Sequence, residues 1–140
     1  MEEKMPKINL QELDRYLYSV EIPVRITDIN YGGHLGNDSM ASIIHEARFR
    51  FVQQSGFKNE IEAGIILKDI CILFKAEVFS DDKLTISIAL GEISKCSLRM
   101  FYKVTNFQGG TVALAETGIA FIDYSTKKSS SVPEKFSAYP

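Results

Sequence analysis

Arg25-Ile-Thr-Asp28-Ile-Asn30-Tyr-Gly-Gly33-His34-Leu-Gly36-Asn37-Asp38 runs directly into Ser-Met40-Ala-Ser-Ile-Ile44-His45-Glu46-Ala47-Arg48-Phe-Arg50. The first half has the Gly, Asn and Asp content of a turn. The second half has helical periodicity, with Met40, Ile44, Ala47 and Phe51 on one stripe, widened by Ile43 and Val52. Asn37 or Asp38 is the expected N-cap, and Gly56 the stop. Both histidines of the chain and three carboxylates fall between positions 28 and 46. A polar loop feeding a helix N-terminus presents backbone N–H groups without intrahelical partners, which suits a polarised carbonyl or an anion.

A helix this apolar needs a cover, and the downstream sequence supplies one. Residues 65–79, 83–93 and 111–124, and the alternating Leu98, Met100, Tyr102 and Val104, read as long strands separated by Ser80-Asp-Asp82, Ser94-Lys95 and Asn106-Phe-Gln-Gly109-Gly110. Upstream, residues 18–26 alternate as a strand, with Pro23 marking an edge or a bulge. Asn9-Leu-Gln-Glu12 followed by Leu13 and Leu17 predicts a short amphipathic helix over 9–18. Pro133 introduces a tail expected to be loose. Helix, strand, long helix and four strands in succession make an α+β chain with an antiparallel sheet. A five-stranded sheet of such long strands can curl around one central helix.

The bulk numbers set limits. The chain of 140 residues is sized for one domain with a real core. It is 45% apolar and 24% charged, with net charge −2, so it carries no basic footprint for nucleic acid. No apolar run is long enough to span a bilayer, and the N-terminal residues do not read as a signal peptide. Cys71 and Cys96 lie in strand-like segments without metal-ligand spacing, as expected of reduced thiols in a cytoplasmic protein.

The order of elements resembles the hotdog fold, and the motif Asp28-Ile-Asn30-Tyr-Gly-Gly33-His34-Leu-Gly36-Asn37 with His45-Glu46-Ala47-Arg48 resembles its acyl-CoA thioesterases, the superfamily of 4-hydroxybenzoyl-CoA thioesterase. Gly64, the strand 66–79, Ser80-Asp-Asp-Lys-Leu and Val112-Ala113 also fit, so the likeness covers about residues 18–134 of a single 1–140 domain. The resemblance implies a five-stranded antiparallel sheet around a long central helix, hydrolysis of an acyl-CoA or other acyl thioester, and assembly as a homodimer or homotetramer. It implies no cofactor, coenzyme A being part of the substrate, and no metal, nucleic-acid or membrane partner. The chain also departs from the pattern. Much of the family has a carboxylate at the position of Asn30, a helix glutamate at that of His45 and, in one branch, a histidine at that of Asn37.

The chemistry requires a polarised carbonyl, an activated water and an exit for the thiolate. The amides from Gly36 to Met40 are candidates for the first. Asp28, Asn30, His34 and Glu46 are the candidate catalytic side chains, and Gly33, Gly36, Asn37, Asp38 and His45 the candidate substrate-binding ones. Each has a plainer role open to it. Asp28 and Asn30 can brace the turn, His34 can bond across a subunit boundary, and Asn37 or Asp38 can cap the helix. Glu46 can pair with Arg50 four residues on. His45 and Glu46 diverge by about 100° around the helix, so only one faces a given cleft squarely. Arg48 and Arg50 are expected to be solvated or paired with acids. Lys68, Lys75, Lys103, Lys127 and Lys128 are candidates for nucleotide phosphates. Two further readings stand beside hydrolysis. An (R)-specific enoyl-CoA hydratase is suggested by Asp28-Ile-Asn30, although its Pro is absent and His34 falls one residue late. A non-catalytic acyl-CoA binding module is suggested by the amide at position 30.

Overall fold

The computed structural model describes residues 8–55 and 63–137. The predicted stop at Gly56 lies outside them. Five long strands, β1 (Tyr18–Pro23), β2 (Ala63–Phe74), β3 (Lys83–Gly91), β4 (Ser97–Thr105) and β5 (Thr111–Asp123), form one antiparallel sheet in the order β1-β3-β4-β5-β2. A two-residue β6 (Lys128–Ser129), not expected from the sequence, adds to β5. The long helix α1 spans Asn37–Gln54.

Alternation decides which face of the sheet meets the helix. Leu98, Met100, Tyr102 and Val104 of β4 are buried, and stand opposite Ile119, Thr117, Ala115 and Ala113 of β5. Leu84, Ile86 and Ile88 of β3 continue the surface. Against it lies the stripe Met40, Ile44, Ala47 and Phe51, none of it more than 1% exposed, with Ile43 and Val52 at its margins. Burying one such large side chain stabilises by about 1.5–3 kcal/mol, so this contact holds the helix to the sheet.

On the opposite face, Arg99 forks onto Asp69 through two bonds of 2.9 Å and donates from Nε to Glu116 at 2.7 Å, tying β4 to both β2 and β5. Gly118 makes room for the fork, since a Cβ there would sit 2.5 Å from both Arg99 Nη1 and Asp69 Oδ2.

Three sequence expectations are corrected. Residues 9–18 form no helix. The described part of the N-terminal segment is irregular until β1, and Leu17 N–H bonds Ile88 O at 2.8 Å, so it joins the β3 side of the sheet. Lys103 explains the rest. Its ammonium lies 3.5 Å from Glu12 and 5.0 Å above the Tyr16 ring, drawing the segment across the outer face over buried Leu114. Tertiary contacts outweigh weak local propensity here. The strand predicted over 65–79 ends at Phe74. Lys75 and Ala76 both direct their N–H groups to Val112 O, and the chain then leaves the sheet. The tail is not loose as far as Ser137. A short helix α2 (Glu134–Ser137) inserts Phe136, fully buried, between the rings of Phe51 (6.2 Å) and Phe121 (5.8 Å).

Phe136→Ala is expected to lower unfolding stability by about 3 kcal/mol, the usual cost of emptying an aromatic core position. A urea titration with an unchanged m-value measures it.

Candidate functional site

The loop before α1 is built by its own residues. A single 3₁₀ turn at Ile26–Asp28 is closed by Asp28 N–H on Arg25 O (2.9 Å). Asn30 Oδ1 then accepts from Gly32 N–H (2.9 Å) and His34 N–H (3.4 Å), while its backbone bonds His34 O (2.9 Å) and Gly33 N–H (3.0 Å). Gly33 has φ +89°, a left-handed conformation that glycine adopts without a Cβ penalty. Gly36 N–H closes the loop on Asp28 O at 2.9 Å, and Leu35 N–H ties it to Val78 O at 2.7 Å. The segment that leaves β2 therefore runs past the start of the helix.

The N-cap is Gly36, not Asn37 or Asp38 as the sequence suggested, and no side chain caps the helix there. Asp38 instead folds back over Gly36, where a Cβ would meet its Oδ1 at 2.6 Å. Gly36 N–H is taken by Asp28, and Met40 N–H bonds back to Gly36 O at 3.1 Å. The expected run of amides thus narrows to those of Asn37, Asp38 and Ser39. Of these three residues Asn37 lines a cleft of about 350 Å³, together with His34, Met40, Phe74, Lys75 and Glu77. His34 Nε2 stands 3.7 Å from Glu77 Oε1, and its ring meets Phe79 edge-on at 6.3 Å.

The other candidates are distributed elsewhere. Asp28 is 3% exposed and lines a smaller groove of about 170 Å³ with Arg25, Ser42, Glu46 and Arg50, on the β1 side of α1. Burial alone would push the Asp28 carboxyl up. The Arg25 guanidinium (3.1 and 3.3 Å), Arg25 N–H (2.9 Å) and the Ser39 hydroxyl outweigh that and hold it below its ordinary pKa. Glu46 takes the Arg50 guanidinium, as the i,i+4 spacing suggested. His45 faces a third direction. Within the single chain, then, the fold brings His34 and Asn37 together, pairs Asp28 with Glu46 across another groove, and joins neither set to His45.

Arg48 contradicts the expectation of solvation or an acidic partner. It is 7% exposed, and donates from Nη1 to Tyr102 Oη (3.2 Å) and from Nη2 to His45 Nδ1 (2.9 Å). Tyr102 Oη also shares a bond with Thr117 Oγ1 at 2.8 Å. Burial raises the pKa of that hydroxyl against the opposing pull of Arg48. Nothing in the sequence signalled this group beyond the position of Tyr102 among the inward residues of β4. Of the candidate lysines, Lys75 lines the cleft, whereas Lys103 is engaged on the outer face. Among the described residues no three His, Cys, Asp or Glu side chains are grouped as a metal ion needs, and no helix is long and apolar enough to cross a membrane.

A family profile described as the thioesterase-like superfamily matches residues 24–139. The chain belongs to this superfamily. No curated protein matches it. Among solved structures, this thioesterase-like chain is similar to a 1,4-dihydroxy-2-naphthoyl-CoA thioesterase from Synechocystis, with 17% identity and TM-score 0.78 over 86% of this chain and 92% of that one. It is similar to the DHNA-CoA thioesterase of Staphylococcus aureus, with 18% identity and TM-score 0.76 over 85% and 83%. A second S. aureus protein, solved in complex with CoA, gives 17% identity and TM-score 0.80 over 91% and 84%. The likeness establishes the hotdog fold anticipated from the order of elements.

The paired Asp28 makes a signed prediction. Its folded pKa lies below the unfolded one, so the pair's stabilisation is present above the unfolded value and lost as pH falls through the folded one. Asp28→Asn is expected to cost roughly 2 kcal/mol at neutral pH. That difference from the wild-type protein should shrink to nothing as pH is lowered past about 4 and below, as read by denaturant melts at a series of pH values.

Proposed function

We propose that this thioesterase-like protein hydrolyses an acyl-CoA thioester, with His34 accepting the proton of the attacking water. The observation that carries the reading is the His34 imidazole in the same cleft as the helix start. The side chain most often used as a general base and Asn37, the first residue of a helix whose opening N–H groups suit an oxyanion, border one space. The amides of Asn37, Asp38 and Ser39 hold the carbonyl oxygen as it gains charge, aided by the positive end of α1. Glu77 orients the imidazole. Water adds to the carbonyl carbon, its proton passes to His34, the C–S bond breaks, and the proton moves on to the departing sulfur. Lys75 at the same cleft supplies a cation for the phosphates of the nucleotide handle.

Asp28, Asn30 and Gly33 serve by holding the loop. The carboxylate oxygens of Asp28 lie against Arg25, and Asn30 Oδ1 accepts from the loop's own amides. The amide at position 30, where the family pattern has an acid, is why the base is placed at His34. Glu46 belongs to the neighbouring groove with Arg50. The long edge strand β2 leaves Leu67, Ile70 and Phe74 about two-fifths or more exposed. We infer that a second copy covers them in a homodimer, or a homotetramer built from it, in the cytoplasm.

His34→Ala is expected to lower kcat for acyl-CoA hydrolysis roughly 100-fold, within the range general-base catalysis supplies, while Glu46→Ala leaves it nearly unchanged. Thiol release across short, medium, long and aromatic acyl-CoAs is the measurement. The reverse ranking of the two variants moves the base to Glu46. Loss of enoyl absorbance from crotonyl-CoA without thiol release assigns hydration instead, and tight binding with turnover equal to buffer assigns a binding module.

A further inference from the structure

The Arg48 guanidinium is buried, and it donates to two neutral groups, Tyr102 Oη and His45 Nδ1. A guanidinium only donates, and it keeps its charge throughout the accessible pH range. The nitrogen that accepts from it therefore carries a lone pair and no proton. In a neutral imidazole the proton must then reside on the other nitrogen. From these facts we infer that Arg48 is a positioning residue that locks His45 in the Nε2–H tautomer, so that His45 meets a bound acyl thioester as a hydrogen-bond donor and not as a base.

The surroundings make the lock rigid. Tyr102 and Thr117 are 1% and 0% exposed, and they fix Arg48 Nη1 from the sheet side. Arg48 Nη2 reaches back one helical turn to His45, whose own side chain is exposed on α1. The guanidinium thus bridges the core to an exposed ring, and the Nε2–H on the far side of that ring is left for whatever docks along the helix. His45 lies eight residues beyond Asn37, about 12 Å along the axis. Within one chain its donor consequently serves a different acceptor from the one held by the helix-start amides. That acceptor is an oxygen of the acyl-CoA away from the thioester carbonyl.

The inference rests on the proposed thioester site only for its ligand. The tautomer is measurable whether or not the protein hydrolyses anything. Long-range ¹H–¹⁵N correlation on ¹⁵N-labelled native protein is expected to show a single neutral form of His45, with Nδ1 unprotonated and hydrogen-bonded. Arg48→Met, checked for folding by circular dichroism, should allow both tautomers to appear. A native spectrum with Nδ1 protonated overturns the lock without a variant being needed.

The donor role is read separately, with whichever acyl-CoA the chain hydrolyses best. His45→Gln places an amide N–H near the position of Nε2–H and should stay within about twofold of wild type in kcat/KM. His45→Ala should lose roughly five- to tenfold, the value of one hydrogen bond, and His45→Asn, which is too short, should lose as much. Glutamine as damaging as alanine, or alanine as active as wild type, refutes the donor role. Absence of any hydrolysis refutes the proposed function while leaving the tautomer result standing.

Discussion

Burial of one apolar stripe governs the molecule. Met40, Ile44, Ala47 and Phe51 cannot face water together, and the curled sheet is the surface that covers them. That contact sets the pitch of α1 across β3, β4 and β5 and so fixes where its first turn opens. It also determines what lies beside that turn. The chain leaving β2 has to pass the helix start to reach β3, and the bond from Leu35 to Val78 fastens the polar loop to it. The cleft is a by-product of packing the core, assembled from a helix end, a loop and a departing strand that the core positions independently.

Electrostatics then sorts the polar groups of the motif into separate duties. Arg25 draws in Asp28, Arg50 draws in Glu46, and Arg48, with no acidic partner among the described residues, turns to a phenol and an imidazole. The motif's side chains thereby part around a single helix, Asp28 and Glu46 to one groove, His34 and Asn37 to a second, and His45 to neither. What the motif concentrates in sequence, the helix disperses in space, and a cleft lined by His34 and Asn37 is what remains at the helix start.

The sequence discloses the repetitive features and conceals the solitary ones. Period-two alternation in Leu98–Val104 and the stripe of α1 each repeat a signal several times over, which is why strands and helix were legible to within a few residues. The turn itself was legible too, since Asn30 and Gly33 act on neighbours within a few positions, but its junction with the helix was not, because Gly36 is held by Asp28 eight positions back. Phe136 was not, because one aromatic after a polar stretch has no periodicity and its partners Phe51 and Phe121 are distant in the chain. Arg48 was hidden for the same reason. Its acceptor Tyr102 is 54 positions away, and nothing local distinguishes a buried arginine from a solvated one. The N-terminal leucines misled in the opposite sense, offering a periodicity that Lys103 and the outer face of the sheet overrode.

The two rims of the sheet are unlike. β1 is six residues long, ends at Pro23 and carries Glu21 beside Lys83, all features that discourage a further strand from adding. β2 is twice as long and offers Ile66, Leu67 and Ile70 with its free backbone groups. A sheet adhesive along both margins can add copies without limit and grow into a fibril. With one rim blunted, strand addition along the other would bring together two equivalent edges and consume both, so that growth would terminate at a closed pair.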